Sequence, residues 1–304
     1  MVAFRRMARK ITNDDHVNRA KSMGELLTSL VEYLPFNRLV KPATLIRPST
    51  NYDYVQDAVK NLRVELKLPA NEVVDFKDLI GRFHDLQTVL VPVMWGKKDR
   101  HENALHIYLP ESHSTWVFLN LDSNLIDFKF WMAHELAHVY TPDLCGTDEG
   151  EDFADALAGA FLFPAECAES AYTEVVRLRT EATRVNAIKT IATKAVISFY
   201  TVYYEINKFA NHAGKPPISL AASTVGGAAT NVAKQFPTVS KLLFEGVTTK
   251  PGQYVKAAKE AFGTPFFDAL ASHLKASGDT ATYIQQVMDI SLADAKALHT
   301  ELLG

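Results

Sequence analysis

Two histidines four residues apart, His134 and His138, with Glu135 beside the first, are the side chains of this sequence best suited to chemistry. On an α-helix that spacing sets both imidazoles on one face, one turn apart, where both can reach a single tetrahedral ion. Glu135 projects to the side of the pair and can accept a proton from a water whose pKa zinc lowers to about 7. Gln in its place could not take the proton. The bland alternative is a chance pentapeptide on an amphipathic helix whose His and Glu face solvent. Against it stand Phe128, Phe130, Trp131, Met132, Leu136 and Val139, which would pack the helix into a core and keep the site dry.

A catalytic zinc site needs a third protein ligand and one position left open. The extended metzincin pattern requires glycine at 141 and histidine at 144; the chain has Thr141 and Leu144, so that class is excluded. The candidates are Asp143, Cys145, Asp148, Glu149, Glu151, Asp152 and Asp155. Glu151 is favoured, because it begins a helix that could run antiparallel to the first and shares a face with Asp155, four residues on. Asp155 would then hydrogen-bond a ligating histidine and fix its tautomer. Acids at a helix N-terminus also serve the helix dipole, the better reading for Asp148, Glu149 and Asp152. Cys145 reads as a small apolar residue rather than a thiolate ligand. For an oxyanion-stabilising group, Tyr140, His101, His106, His113 and His212 all stay open, and each alone reads as a surface or packing residue.

The elements that must position these residues follow from periodicity. Val17 to Leu34 is an amphipathic helix, followed by a connector containing Pro35, Pro42 and Pro48. Asp53 to Leu68 and Phe76 to Leu86 have helical spacing. The period then changes: Thr88 to Trp95, Ala104 to Leu109 and Thr115 to Leu121 are short, rich in β-branched and aromatic residues, and separated by polar turns. They predict a small antiparallel sheet, and a strand such as Thr115 to Leu121 on its edge could pair with an extended substrate. Two helices follow, Leu125 to Tyr140 and Glu149 to Phe163, the second stopped by Pro164. Beyond Ala165 the pattern is helical, interrupted at Pro216-Pro217, Gly226-Gly227, Pro237, Pro251-Gly252 and Gly278. The fold class expected is α+β with a mostly helical C-terminal region.

At 304 residues and 47% hydrophobic content the chain can bury a substantial core. Its net charge of -3 gives no global attraction to nucleic acid or to an anionic membrane. Two cysteines, Cys145 and Cys167, are too few for a disulfide framework and fit a reducing cytosol. The basic start, Met1 to Lys10, runs into Asn13, Asp14 and Asp15 instead of the apolar core of a signal peptide. No apolar run approaches the roughly 20 residues of a membrane span. A soluble cytoplasmic protein is the expectation.

Glu151-Asp-Phe-Ala-Asp-Ala-Leu-Ala-Gly-Ala-Phe-Leu-Phe-Pro164, after His134-Glu-Leu-Ala-His138, resembles the ImmA/IrrE metallopeptidases. In that family HExxH is followed by a helix of the form E-x-x-A-[ND]-x-F-A-x-x-L-L-x-P. Glu151, Ala154, Asp155, Ala158, Leu162 and Pro164 agree, while Leu157 replaces the usual Phe and Phe161 the usual Leu. Ala137 departs from the common glycine of HELGH. The resemblance covers about residues 50–175, and it implies a zincin-like core with His134, His138 and Glu151 as zinc ligands and Glu135 as general base. It also implies a gluzincin-like, site-specific endopeptidase that cleaves a helix-turn-helix repressor. The division expected is an N-terminal helical/extended segment at 1–50, a zincin-like metallopeptidase domain at 51–175 and a helical region at 176–304, in which 187–206 resembles the family's helix-turn-helix-like segment while 1–50 and 216–304 match none of its parts.

That last segment is locally basic, yet its second helix, Phe199 to Lys208, is aromatic with a single lysine. A DNA reader needs polar and basic side chains there, so direct DNA binding is not expected. A competing reading is a non-catalytic module, stabilised by zinc, that binds a repressor or toxin partner.

Overall fold

The structure is a computed structural model that describes residues 2–3, 14–39, 43–96, 103–245 and 249–304; for 2–3 and 14–20 it describes the backbone alone. Among the described residues the chain runs β1 (Val2–Ala3), α1 (Asp14–Thr28), α2 (Tyr52–Glu65), α3 (Phe76–Asp85), β2 (Thr88–Val93), β3 (Ala104–Leu109) and β4 (Ser114–Asn120). Then come α4 (Leu125–Tyr140), α5 (Asp148–Leu162), α6 (Ala165–Val175), α7 (Glu181–Ala195), α8 (Phe199–His212), α9 (Ala222–Ala233) and α10 (Val239–Leu243). The last four helices are α11 (Pro251–Phe262), α12 (Phe266–Ser277), α13 (Ala281–Met288) and α14 (Leu292–Leu303). The fold is α+β and mostly helical. The helix expected over Val17 to Leu34 ends at Thr28, and a short 3-10 turn, Val31–Tyr33, follows it.

The sheet is mixed, which corrects the antiparallel expectation. Its order is β1-β3-β4-β2, with β3 antiparallel to β4 but β2 parallel to it, Thr88 opposite Thr115 and Val93 opposite Asn120. A short turn at 110–113 joins β3 to β4 and forces antiparallel pairing, with His113 at φ 56. The longer connection at 94–103 lets β3 skip a place, and β4 slots between β3 and β2. β4, which the sequence leaves open as an edge strand able to pair with a substrate, is therefore central. It is buried throughout.

The helical tail folds back onto this sheet. Trp95 Nε1 donates to Met288 O at 2.8 Å, Leu125 N to Pro237 O at 3.0 Å and Tyr283 OH to Leu26 O at 2.8 Å. One apolar cluster extends from Met23 through the sheet and α4 to Leu298. At its centre α4 is buried on nearly every face, which explains its uniformly apolar flanks. Asn124 caps it, accepting from Ile126 N at 3.2 Å while donating to Ala233 O and Phe236 O. Lys129, buried among apolar neighbours, donates from Nζ to Ala195 O at 2.9 Å and so ties α4 to the end of α7.

Candidate metal centre

The centre lies between α4 and α5. α4 carries His134, Glu135 and His138, and a 3-10 turn at Pro142–Leu144 reverses the chain into α5. Thr147 caps α5 by accepting from Gly150 N at 3.0 Å. A Cβ on Gly150 would run into the carbonyl oxygen of Leu144, so only glycine permits this tight entry, and the entry delivers Glu151 opposite the histidines.

The donor atoms converge. His134 Nε2 and His138 Nε2 are 3.1 Å apart, and the Glu151 carboxylate spans them, Oε2 to His134 and Oε1 to His138, each at 3.4 Å. A tetrahedral ion with ligands at about 2.0–2.1 Å separates them by about 3.4 Å. The three residues thus form a group that could hold a metal ion. The Glu151 oxygens supply a second test. Both lie out of solvent with no hydrogen-bond donor aligned on them. A cation at the focus would give both oxygens a direct partner.

Asp155, four residues beyond Glu151, accepts from His134 Nδ1 at 2.9 Å, as its helical position predicts. That bond fixes the ring and turns Nε2 toward the focus. Burial alone would depress the His134 pKa, but its hydrogen bond to Asp155, the Glu151 carboxylate at 3.4 Å and the charge of Glu135 raise it to about 9. Burial pulls the other way on Glu151, yet the two imidazoles outweigh it and hold the carboxyl at about 2. His138 is lowered, chiefly by burial. Glu135 is 3% exposed and shares α4 with both histidines.

No protein-family model matches the chain, and no curated protein does either. The centre therefore rests on its own geometry.

The remaining candidates separate clearly. Asp148, Glu149 and Asp152 sit in the first turns of α5, and Asp143 sits in the 3-10 turn. None joins the cluster. Cys145 is a free, buried thiol whose pKa burial raises to about 12, and it lies outside the converging group. Cys167 is also free. Among the oxyanion candidates, Tyr140 OH accepts from Arg82 Nε, His113 meets Tyr108 OH at 3.0 Å, and His212 stacks on Tyr52. His101 lies outside the described residues. Among the described candidates, His106 borders the centre: its ring lies 5.9 Å from that of His138, and its Nδ1 is 3.4 Å from Cys145 Sγ. Strand alternation could have placed His106 on one face of β3, but not shown that α4 packs on that face.

Proposed function

We propose that the chain is a zinc-dependent, site-specific endopeptidase that cuts a protein regulator, with α4 and α5 as its active centre. The observation that carries this reading is the convergence of His134 Nε2, His138 Nε2 and the Glu151 carboxylate, with Glu135 on the same helix. Two histidines and one carboxylate would also suit ferrous iron. The glutamate next to the first ligand, on a zinc-typical HExxH helix, favours zinc and hydrolysis.

When bound, zinc supplies a Lewis acid and makes water acidic enough to lose a proton near neutral pH. Glu135 is the residue to take that proton at its carboxylate and pass it to the departing amine nitrogen. Asp155 holds His134 in orientation throughout. Trp131, whose ring lies 5.3 Å from that of His134, keeps bulk water from the inner side. A repressor is the substrate class favoured, on the resemblance carried by Glu151 to Pro164. A cytosolic setting accords with two free cysteines.

Direct DNA binding is not part of this reading. Phe199, Val202 and Ile206 of α8 are buried, and its exposed aromatic residues are Tyr200 and Tyr204. Those rings stack on each other at 5.9 Å.

The decisive experiment pairs metal analysis with Glu135→Gln. The purified chain should carry about one zinc, and the variant should keep it while losing cleavage by about 100-fold to 10,000-fold. Retained cleavage would remove Glu135 from its role. One observation favours a second reading, the structural module: the donor atoms are closed off from solvent. That reading requires partner binding that survives Glu135→Gln, with no cut product in the wild type.

A further inference from the structure

A sheet can accept another strand only at an edge, and this sheet has two. The outer edge of β2 is closed. The hydroxyls of Thr264 and Tyr254 donate to Leu90 O and Pro92 O, and Pro92 has no N–H to offer a partner. The outer side of β3 remains, and β1 lies on it, antiparallel, with Val2 opposite Ile107 and Ala3 opposite His106.

That edge borders the metal centre, because His106 packs its ring against His138. The centre itself is shut: His134 and His138 are each 1% exposed and Glu135 is 3% exposed. For an extended peptide to reach the ion, something at the rim must move. Among the described residues, β1 pairs two residues with β3. An extended peptide that paired with more of β3 than Val2 and Ala3 do would make more main-chain hydrogen bonds and so could compete for the edge.

We infer that β1 is a self-inhibitory strand: it occupies, in antiparallel register, the β3 edge on which an extended peptide segment docks, and the peptide must displace it. The identity of the displacing ligand rests on the peptidase reading. The occupancy of the edge does not.

The test uses the full chain and Ala3→Pro, which deletes one main-chain donor outside every helix, with Ala3→Gly as a control that keeps the donor. Hydrogen exchange of the metal-free proteins reads the edge directly. The His106 amide, which faces β1 while its odd-numbered neighbours 105 and 107 bond β4, should exchange about tenfold faster in Ala3→Pro than in wild type or Ala3→Gly, a change of about 1.4 kcal/mol. Equal protection in all three overturns the inference. The zinc-loaded proteins are then titrated with acetohydroxamate, which needs only the ion, and with a tripeptide hydroxamate, which also needs the edge. Ala3→Pro should tighten the tripeptide compound by about tenfold and leave acetohydroxamate unchanged. Tightening of neither, or of both equally, overturns the competition. A chain that takes up no zinc defeats the peptidase reading instead, and exchange alone then decides whether β1 holds the edge.

Discussion

Two glutamates on touching helices, Glu151 on α5 and Glu205 on α8, are both withdrawn from water and meet opposite fates. Burial raises the Glu205 pKa, and its partner Lys208, at 2.6 Å, only moderates the effect. Burial pushes Glu151 the same way, but two imidazoles reverse the outcome and hold it at about 2. Burial therefore does not distinguish a carboxylate that could hold a metal ion from a structural one. What distinguishes Glu151 is that its neighbours are themselves electron-pair donors, two ring nitrogens aimed at the point its oxygens face. Glu205 has a resident cation. At Glu151 the resident cation is the protonated His134 ring, whose proton a bound metal ion would displace.

The largest expected effect separates the two outright. His138→Ala removes one of three converging donors and should lower zinc affinity by more than about 100-fold, exceeding the loss typical of supporting residues. Glu205→Gln should keep full zinc content by atomic emission. Loss of metal in Glu205→Gln as well would show that the two carboxylates belong to one network. Next in size is Asp155→Asn, which preserves an acceptor for His134 Nδ1 but removes its charge. Zinc affinity, read by chelator competition, should weaken by about 10-fold to 100-fold. An unchanged affinity would reduce the 2.9 Å contact to an incidental one.

Much of this centre was legible in the sequence because it is helical and local. The bounds of α4 follow from its apolar run, Asn124 and the break at Thr141. The pairing of Glu151 with Asp155 follows from helical spacing alone. The sheet was legible only as strands. Whether β2 joins β4 in parallel depends on which connection is long enough to skip a place, and no local residue type records that. β1 carries no strand pattern in its two residues, and its pairing with His106 spans most of the N-terminal third of the chain. Contacts such as Gly159 against Glu205 join residues on separate helices with no shared motif.

A smaller effect comes from pH. Free of metal, His134 holds its proton up to about 9, so metal must displace it at neutral pH. Zinc affinity should rise by about tenfold per pH unit between about 7 and 9 and then level off. The metal-free fold shows the other side of the linkage. The raised His134 pKa contributes stability in full below its ordinary 6.5 and loses it as pH rises through about 9. The depressed Glu151 pKa contributes above its ordinary 4.5 and loses it as pH falls through about 2. Thermal melts of the metal-free chain should show the pair's full benefit between those ordinary values, 4.5 and 6.5. In Glu151→Gln the curve should flatten at both ends, and a curve of unchanged shape would deny the coupling.

The smallest effect should be confined to stability. A Cβ at Gly159 would stand 2.6 Å from Glu205 Oε1 and 3.4 Å from its Cδ, so Gly159→Ala forces a buried side chain to shift. Overpacking of this kind costs about 1–3 kcal/mol, and a lowered Tm should report it. Combined with Glu205→Ala, which removes the obstructing oxygens, the penalty should fall well short of the sum of the single variants. Zinc affinity is the sharper reading, because Gly159 and Glu151 lie on the same helix. If Glu205 yields, α5 stays in place and the affinity holds. If the affinity falls with Gly159→Ala, α5 has moved as a body, and the two buried glutamates are coupled through the helix that carries one and touches the other.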